Sequence, residues 1–224
     1  MMGKKTTRQG DAKIAAKVVT ILGKKYTEKG MVDMGSAEDT LIATLLSART
    51  TDVQVLRVYP GLRKTFPTLQ ALSEAPVNKI ANKISSIGLY RNKAKAIKNL
   101  ARQLLTEFHG GVPKTIEELI RLPGVGRKTA SCVLAYAYKI PAIAVDTHVF
   151  RIVHRLGWAK EKTADKVEQE LRALVPVSHW IEINRTMVQF GRDICKPGKP
   201  QCYRCPIALY CGYPHKTLPP ANVS

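Results

Sequence analysis

Acidic residues are scarce in this sequence, which has 17 aspartate and glutamate residues against 36 lysine and arginine residues and a net charge of +19. A charge this large repels itself, so a polyanion is the partner that would best offset it. No apolar run is long enough to cross a bilayer, and the basic N-terminus lacks the apolar core of a signal peptide. From these absences we expect a cytoplasmic protein that does not enter a membrane.

The scarcity of acids is concentrated in three intervals. Residues 75–106, 119–145 and 194–224 contain no acidic side chain at all. The first interval holds seven basic residues: Lys79, Lys83, Arg91, Lys93, Lys95, Lys98 and Arg102. One such run is usually a solvated helix face, but three runs in one chain favour a nucleic-acid partner.

Strand patterns are also missing. No segment alternates apolar and polar residues convincingly, whereas apolar residues recur at helical spacing along most of the chain. We therefore predict an all-α fold of about ten helices, the first from about Asp11 to Lys25. Capping boxes beginning at Ser36 and Thr115 predict two further helix starts. Asp52 is expected to be the N-cap of another helix.

The stretch Leu122–Ala130 combines a helix stop with a glycine turn and a new helix start. Gly124 and Gly126 permit a tight turn or a close backbone approach. A helix beginning near Gly126 would present unpaired backbone N–H groups, which bind phosphate. The helix dipole and Arg127 should favour the neutral amine of Lys128, and a neutral lysine amine forms Schiff bases. A surface lysine or a phosphate contact is the ordinary alternative for Lys128.

Four of the five cysteines lie near the C-terminus with the spacing C-x6-C-x2-C-x5-C: Cys195, Cys202, Cys205 and Cys211. In a reducing compartment such a group predicts a metal site rather than two disulfides. Four thiolates suit both tetrahedral zinc and an iron–sulfur cluster, so the spacing leaves both open. The fifth cysteine, Cys132, is expected to be a small buried apolar residue.

Two sequences, Leu-Pro-Gly-Val-Gly-Arg-Lys-Thr-Ala at 122–130 and Ala-Val-Asp-Thr-His-Val-Phe-Arg at 144–151, resemble the helix-hairpin-helix and Gly/Pro-Asp signature of the endonuclease III family. Members of that family are DNA glycosylases and abasic-site lyases of base excision repair. The resemblance implies that Lys128 attacks the sugar C1′ atom and that its Schiff base leads to β-elimination. It assigns Asp146 to stabilising the sugar cation and to moving protons around the lysine. Asp146 also precedes a helix-like run and is expected to be an N-cap.

The resemblance also identifies residues that occupy the gap left when a damaged nucleotide is flipped out. It places Leu89 as an apolar wedge, which would offset part of the unstacking cost. The alternative for Leu89 is a loop leucine folded back onto the core. Another such position is Arg49. Family members usually have the sequence Leu-Ser-Ala-Gln here, whereas residues 46–49 of this chain are Leu-Ser-Ala-Arg. This departure bears on the contacts to the opposite base, although arginine can still hydrogen-bond and stack; an arginine facing solvent is the alternative.

For the whole chain, the resemblance implies two all-α lobes. One is a six-helix barrel domain with the helix-hairpin-helix at 30–140, and the other is a 4Fe–4S cluster domain at 1–29 and 141–214. Residues 215–224 would form a tail outside both lobes. The four cysteines would hold the cluster, whose role we expect to be structural rather than redox. Further contacts to the DNA backbone are predicted for Gly124, Gly126, Arg127, Thr129, Lys199 and Arg204.

The predicted partner is double-stranded DNA that contains damaged bases or abasic sites, bound by a monomer. By resemblance the damaged bases are oxidised or ring-saturated pyrimidines such as thymine glycol. One alternative is a monofunctional mismatch or adenine glycosylase, a class that generally lacks lysine at the position of Lys128. The others are a non-catalytic iron–sulfur DNA-binding protein and a zinc-dependent binding module.

Overall fold

The computed structural model describes residues 8–27 and 34–219. Within those residues every regular element is a helix, which confirms the predicted all-α class. The predicted tail lies partly outside the described residues, as does the start of the first domain. No described helix is long and apolar enough to cross a membrane.

The chain divides into two compact units, one of them formed by Gly30–Ile140. Its helices are α2 (Ala37–Ser47), α3 (Asp52–Thr65), α4 (Leu69–Glu74), α5 (Val77–Lys83), α6 (Tyr90–Glu107), α7 (Ile116–Leu119) and α8 (Arg127–Cys132). The last of these continues into a π-helical segment, Val133–Ala137. Apolar side chains of α2 and α6 fill the core of this unit, among them Leu41, Ile42, Leu46, Ile97 and Leu100.

The other unit joins the two ends of the chain, Met1–Lys29 and Pro141–Ser224. Its helices are α1 (Arg8–Lys25), α9 (Thr147–Leu156), α10 (Ala164–Leu174) and α11 (Trp180–Asp193). They bury a core to which each helix contributes, including Val18, Leu22, Val153, Leu171 and Phe190. Between α11 and residue 219, where the description ends, the chain makes only short 3-10 turns, at Cys202–Arg204 and Ala208–Tyr210. The assignment of the two units to a barrel domain and a cluster domain stays a prediction.

Both predicted capping boxes are present. The Ser36 hydroxyl accepts a hydrogen bond from the Asp39 amide at 3.0 Å, and the Thr115 hydroxyl accepts one from the Glu118 amide at 3.3 Å. The N-cap predicted at Asp52 is wrong by one residue. Thr51 has the extended backbone of an N-cap and its hydroxyl accepts the bond, whereas Asp52 is the first residue of α3.

One lysine of the basic interval 75–106 is buried instead of facing a ligand. Lys93 is only 6% exposed, and its Nζ donates a hydrogen bond to the Leu46 carbonyl at 2.8 Å. The charge therefore lies at the C-terminal end of α2, where the helix dipole favours a cation. Lys93 shares the buried face of α6 with Ile97, Leu100 and Leu104, so it supports the fold.

Candidate active site

The glycine turn before α8 requires a glycine at its first position. Gly124 has φ +77°, and a Cβ there would lie 3.0 Å from the Ala96 Cβ and 3.1 Å from the Leu45 Cδ1. A side chain would be strained by the backbone and would also collide with α6 and α2. The turn is thus pressed closely against its own unit.

The second glycine opens the turn towards solvent. Gly126 is the N-cap of α8, and no atom lies within 4 Å of where its Cβ would be. Lys128 follows in the first turn of α8 and is exposed, whereas Arg127 is half-buried. Thr129, predicted to contact DNA, is only 8% exposed. An exposed amine therefore stands beside the backbone N–H groups of an accessible helix start.

Asp146 acts as the N-cap of α9. Its Oδ1 accepts hydrogen bonds from the backbone amides of His148 at 2.9 Å and Val149 at 2.8 Å. The side chain is half-buried. Both of these bonds go to Oδ1, so the cap engages one oxygen of the carboxylate.

Arg49 and Leu89 lie at the tips of two neighbouring loops in the unit Gly30–Ile140. Both have left-handed backbone conformations, with φ +55° and φ +60°, which are uncommon for residues other than glycine. Leu89 is 54% exposed and is not folded onto the core. A Cβ on Gly88 would lie 3.5 Å from the Arg49 carbonyl oxygen, and Gln54 donates a hydrogen bond to the Ser86 carbonyl. The two loops are therefore in contact.

All four clustered cysteines line one cavity. The remaining walls are largely apolar and include Ile152, Phe190 and Ile207. Within residues 8–27 and 34–219, which include all five cysteines, no disulfide forms. In the same described part of the chain, no set of three or more histidine, cysteine or acidic side chains is arranged to hold a metal ion. Cys132 is buried, as predicted.

Burial makes two of the four thiols, those of Cys205 and Cys211, reluctant to ionise. It raises the pKa of the Cys205 thiol to about 11 and also raises the pKa of Cys211. A thiolate in such a cavity needs a compensating positive charge, which a metal centre supplies. The donor set and its apolar walls therefore fit a thiolate-bound metal centre.

Two arginines that sequence reasoning missed tie α9 to the cysteine segment. The Arg151 guanidinium donates to the Cys195 carbonyl at 2.9 Å. Arg155 donates to the Cys195 Sγ at 3.2 Å and to the carbonyl oxygens of Lys196 and Pro197 at 2.8 and 2.7 Å. Their spacing of four residues places them on one face of α9, and this was the available signal. The helix that begins at Asp146 thereby also holds the first cysteine.

The two basic residues predicted to contact DNA beside the cysteines differ in their surroundings. Lys199 is exposed. Arg204 forms an ion pair with Asp193 at 3.2 Å, and Asp193 also accepts a hydrogen bond from the Tyr26 hydroxyl at 2.8 Å. Burial and this bond raise the pKa of Tyr26 above its ordinary range, so Tyr26 stays a donor. Arg204 therefore already has an acidic partner within the fold.

Comparison with known proteins connects this arrangement to DNA repair. The family model of HhH-GPD superfamily base excision DNA repair proteins matches residues 42–177. Endonuclease III of Thermotoga maritima is 44% identical over 173 residues, which cover 77% of this chain and 81% of that protein.

Solved structures agree with the sequence match. A trapped endonuclease III–DNA covalent intermediate with an estranged adenine superposes with a TM-score of 0.84 and 36% identity, covering 92% of this chain and 96% of that one. A thermostable thymine-DNA glycosylase gives a TM-score of 0.82 and 25% identity, covering 90% of this chain and 96% of that one. These matches confirm the predicted family, fold and DNA partner: the chain belongs to the endonuclease III family, within the HhH-GPD superfamily of base excision DNA repair proteins.

Proposed function

We propose that this protein removes oxidised or ring-saturated pyrimidines from double-stranded DNA and then cuts the abasic strand through a Schiff base on Lys128. As a member of the endonuclease III family it is a DNA glycosylase and abasic-site lyase of base excision repair. The proposal adds the residues that carry out these two steps and the class of damaged base.

The position of Lys128 is the observation on which the assignment rests. A related endonuclease III has been trapped as a covalent intermediate with DNA, and a covalent intermediate requires a nucleophile. Lys128 is an exposed amine in the first turn of α8, directly after the open backbone at Gly126. Phosphates held at that helix start would bring the sugar of a flipped nucleotide towards the amine.

The proposed chemistry begins at the amine. The neutral Nζ of Lys128 bonds to C1′ as the C1′–N glycosidic bond breaks, and the departing base takes a proton that the attacking nitrogen loses. The C1′–O4′ bond then breaks, O4′ takes a proton from water, and a protonated Schiff base remains. This cation acidifies the C2′ hydrogen; loss of that proton breaks the C3′–O bond and releases a 5′-phosphate. Water then releases the unsaturated aldehyde and restores Lys128.

Asp146 is proposed to act on the charges and protons of these steps. Its Oδ1 is engaged by two backbone amides, which fixes the orientation of the carboxylate. The remaining oxygen, Oδ2, can stabilise the developing positive charge on the sugar and accept a proton. Holding a catalytic carboxylate at a helix start in this way fixes its rotamer without occupying both oxygens.

The cofactor proposed for the cysteine cavity is a 4Fe–4S cluster. Cys195, Cys202, Cys205 and Cys211 would be its ligands, and they surround a cavity with apolar walls. Such a cluster supplies positive iron centres that favour thiolates and fold the segment around them. Its role would be to position exposed groups of that segment, such as Lys199, for contact with the DNA backbone.

Borohydride trapping tests the central assignment. Wild-type protein is mixed with a duplex that contains an abasic site or thymine glycol, and borohydride is added. We expect a covalent protein–DNA adduct, because borohydride reduces the Schiff base to a stable amine. The Lys128→Gln variant should form no adduct and cut no strand, although it should still bind the duplex.

Lys64→Gln provides a matched control, because Lys64 is an exposed lysine near the end of α3 in the same unit. It should form as much adduct as wild type. An adduct that persists in Lys128→Gln would contradict the nucleophile assignment. Base release without an adduct would instead favour a monofunctional glycosylase. If wild-type protein gave neither an adduct nor base release, the enzyme assignment would be refuted.

A further inference from the structure

We propose that Lys93 is a positioning residue for lesion recognition, because it fixes the loop of Arg49 and the loop of Leu89 relative to each other. These loops are residues 48–51, between α2 and α3, and residues 84–89, between α5 and α6. The inference rests on the proposed function, since it concerns the state in which a nucleotide is flipped out. It goes further by assigning the spacing of the two loops to one buried side chain.

The first step is the end of α2, where the chain enters residues 48–51. The last carbonyl oxygens of a helix have no partner inside it and must find one elsewhere. The carbonyl of Leu46 accepts its hydrogen bond from another helix, at 2.8 Å from the Nζ of Lys93 in α6. The carbonyls on either side of it accept from amides that follow in the chain, with Ala48 donating to Leu45 and Thr50 to Ser47. Lys93 therefore ties the exit of α2 to α6.

The second step is the start of α6, where the other loop ends. The backbone amide of Lys93 donates to the Leu89 carbonyl at 3.0 Å, which closes the first turn of the helix. The backbone of Lys93 thus holds Leu89, and its side chain holds Leu46, three residues before Arg49. One residue joins both loops at their roots.

The third step is the choice of lysine at a buried position. Lys93 is 6% exposed, and its neighbours on the inner face of α6 are apolar, such as Ile97 and Leu100. Burying a charge is costly, and an apolar side chain of similar volume would often pack there at no loss of stability. Packing alone therefore does not account for the lysine. A short, charge-assisted hydrogen bond that sets one distance does.

The fourth step is what a fixed spacing does for a DNA glycosylase. Leu89 is 54% exposed, and an apolar side chain of this kind can fill the space that a flipped nucleotide leaves in the stack. Both Arg49 and Leu89 have positive φ, a strained state that persists where the surroundings impose it. Loops that are already ordered lose less entropy when they enter a duplex. Contacts to phosphates alone do not use this advantage, so Lys93 should favour damaged over undamaged DNA.

Amide hydrogen exchange of the free protein, followed by mass spectrometry, tests the positioning role without DNA. Lys93→Met keeps a long unbranched side chain but cannot donate to the Leu46 carbonyl. Exchange should therefore become faster in both residues 48–51 and residues 84–89. Unchanged exchange in the two loops would overturn the proposal.

Leu104→Ala is the matched control, because Leu104 is buried on the same face of α6, ~16 Å farther along the helix. It leaves a cavity and costs stability, but it touches neither end of the Lys93 bond. Loop amides exchange through local opening, so this variant should exchange at the wild-type rate in both loops. If Leu104→Ala accelerated exchange in the loops as much as Lys93→Met does, general destabilisation would explain the effect and the proposal would fail.

Affinity measures the consequence for recognition. Dissociation constants are determined at one salt concentration for a duplex with a tetrahydrofuran abasic analogue and for the undamaged duplex of the same sequence. Lys93→Met should lower the preference for the analogue about tenfold, the effect expected when one hydrogen bond to a charged group is lost. The missing charge weakens both complexes alike and cancels in the ratio. Leu104→Ala should keep the wild-type ratio, and a wild-type ratio in Lys93→Met would overturn the proposal.

Lys93→Gln provides a second variant that avoids placing an apolar group beside the Leu46 carbonyl. Its side-chain donor is one bond closer to the backbone and ends short of that carbonyl. We expect faster exchange in both loops and a lower ratio here too. Wild-type values for both measurements in Lys93→Gln would overturn the proposal even if Lys93→Met did not fold.

Cleavage of natural abasic sites separates this proposal from the proposed function. A wild-type protein that cuts no abasic duplex would refute the proposed function. A wild-type protein that cuts, beside a Lys93→Met protein with unchanged loop exchange and affinity ratio, would refute only the role of Lys93. The expected result is a variant with weaker preference that still forms the borohydride adduct at saturating concentration, because Lys128 is intact.

Discussion

In the unit Gly30–Ile140, the residues proposed to act on DNA lie at helix ends that apolar packing holds in place, whereas in the other unit they depend on polar bonds. Gly124 is pressed against Ala96 and Leu45, which places α8 and Lys128. Around the cysteines, the arginines of α9 bond to backbone carbonyls and to the Cys195 sulfur. A long segment without regular α-helices cannot bury enough apolar surface to fix itself, so charged hydrogen bonds, together with the proposed metal centre, take the place of packing there.

The largest expected effect is a loss of strand cleavage when Asp146 loses its charge but keeps its role as the N-cap of α9. Asparagine also accepts amide hydrogen bonds at an N-cap, so Asp146→Asn should keep α9 and the melting temperature nearly unchanged. Its carboxamide cannot accept a proton or stabilise a cation as a carboxylate does. We expect the single-turnover rate of strand cleavage to fall about 100-fold.

Asp146→Ala is the matched comparison, because it removes the cap as well. It should lose about 1 kcal/mol of stability in addition to the activity. Thermal unfolding followed by circular dichroism measures that difference. An Asp146→Asn protein with wild-type rates would leave Asp146 with only its structural role.

Two glycine substitutions, one in each unit, test whether packing and polar bonds play separate roles. At Gly191 a Cβ would lie 2.5 Å from the His148 Nδ1 and 2.9 Å from the Arg151 Nη2. Gly191→Ala should therefore displace the arginine that holds Cys195, while Gly124→Ala should displace the turn before Lys128. Each should cost about 2 kcal/mol of unfolding free energy in urea denaturation.

The two variants should differ in iron. We expect Gly191→Ala to lower the iron content of the purified protein and Gly124→Ala to leave it at the wild-type level. Conversely, Gly124→Ala should lower the yield of borohydride adduct more strongly. Equal iron loss in both variants would show that the cysteine segment does not depend on its own polar contacts.

Gly61→Ala should stabilise the protein, in contrast to the other two glycine variants. Gly61 lies inside α3, and no atom lies within 4 Å of where its Cβ would be. Alanine is favoured over glycine in a helix interior, so we expect a gain of about 0.5–1 kcal/mol. The same urea denaturation measures it, and a loss of stability would mean that α3 is constrained in a way that its packing does not explain.

The smallest expected effect is a pH dependence of the free energy of unfolding that arises from Lys93. Burial lowers the pKa of Lys93 in the folded protein below its value in the unfolded chain. Between those two values the unfolded state binds more protons, so the free energy of unfolding rises with pH in that alkaline window. Lys93→Met removes this contribution. The stability of wild type minus that of the variant should rise with pH on the alkaline side, up to the ordinary lysine pKa of about 10.4; a constant difference in urea denaturation would contradict it.

Local patterns predicted much of the fold because helix starts and buried faces leave direct traces in a sequence. The capping boxes at Ser36 and Thr115 are examples. The burial of Lys93 was also encoded, since it is spaced with Ile97 and Leu100 on one face of α6, but a run of basic residues suggested a uniform binding surface. A count of charges does not distinguish the buried face of α6 from its exposed face.

Other features of the site depend on tertiary contacts that no local pattern records. Nothing in the sequence around Arg49 or Leu89 predicts a left-handed backbone, because glycine is the residue that usually signals one. The bonds from Arg155 to the Cys195 segment join residues about forty positions apart. The ion pair of Arg204 with Asp193 likewise became visible only in the fold.

The unit that joins both chain ends has a consequence for synthesis on the ribosome. Helix α1 is made first, but it packs against α10 and α11, which are made last. At ordinary translation speeds its apolar face, including Val18 and Leu22, waits on the order of 10 s for those helices. During that interval Gly30–Ile140 is already complete and can fold around Lys128. The nascent chain therefore has its proposed nucleophile in place before the segment that carries Asp146 is finished, and α1 is the natural target for a chaperone until then.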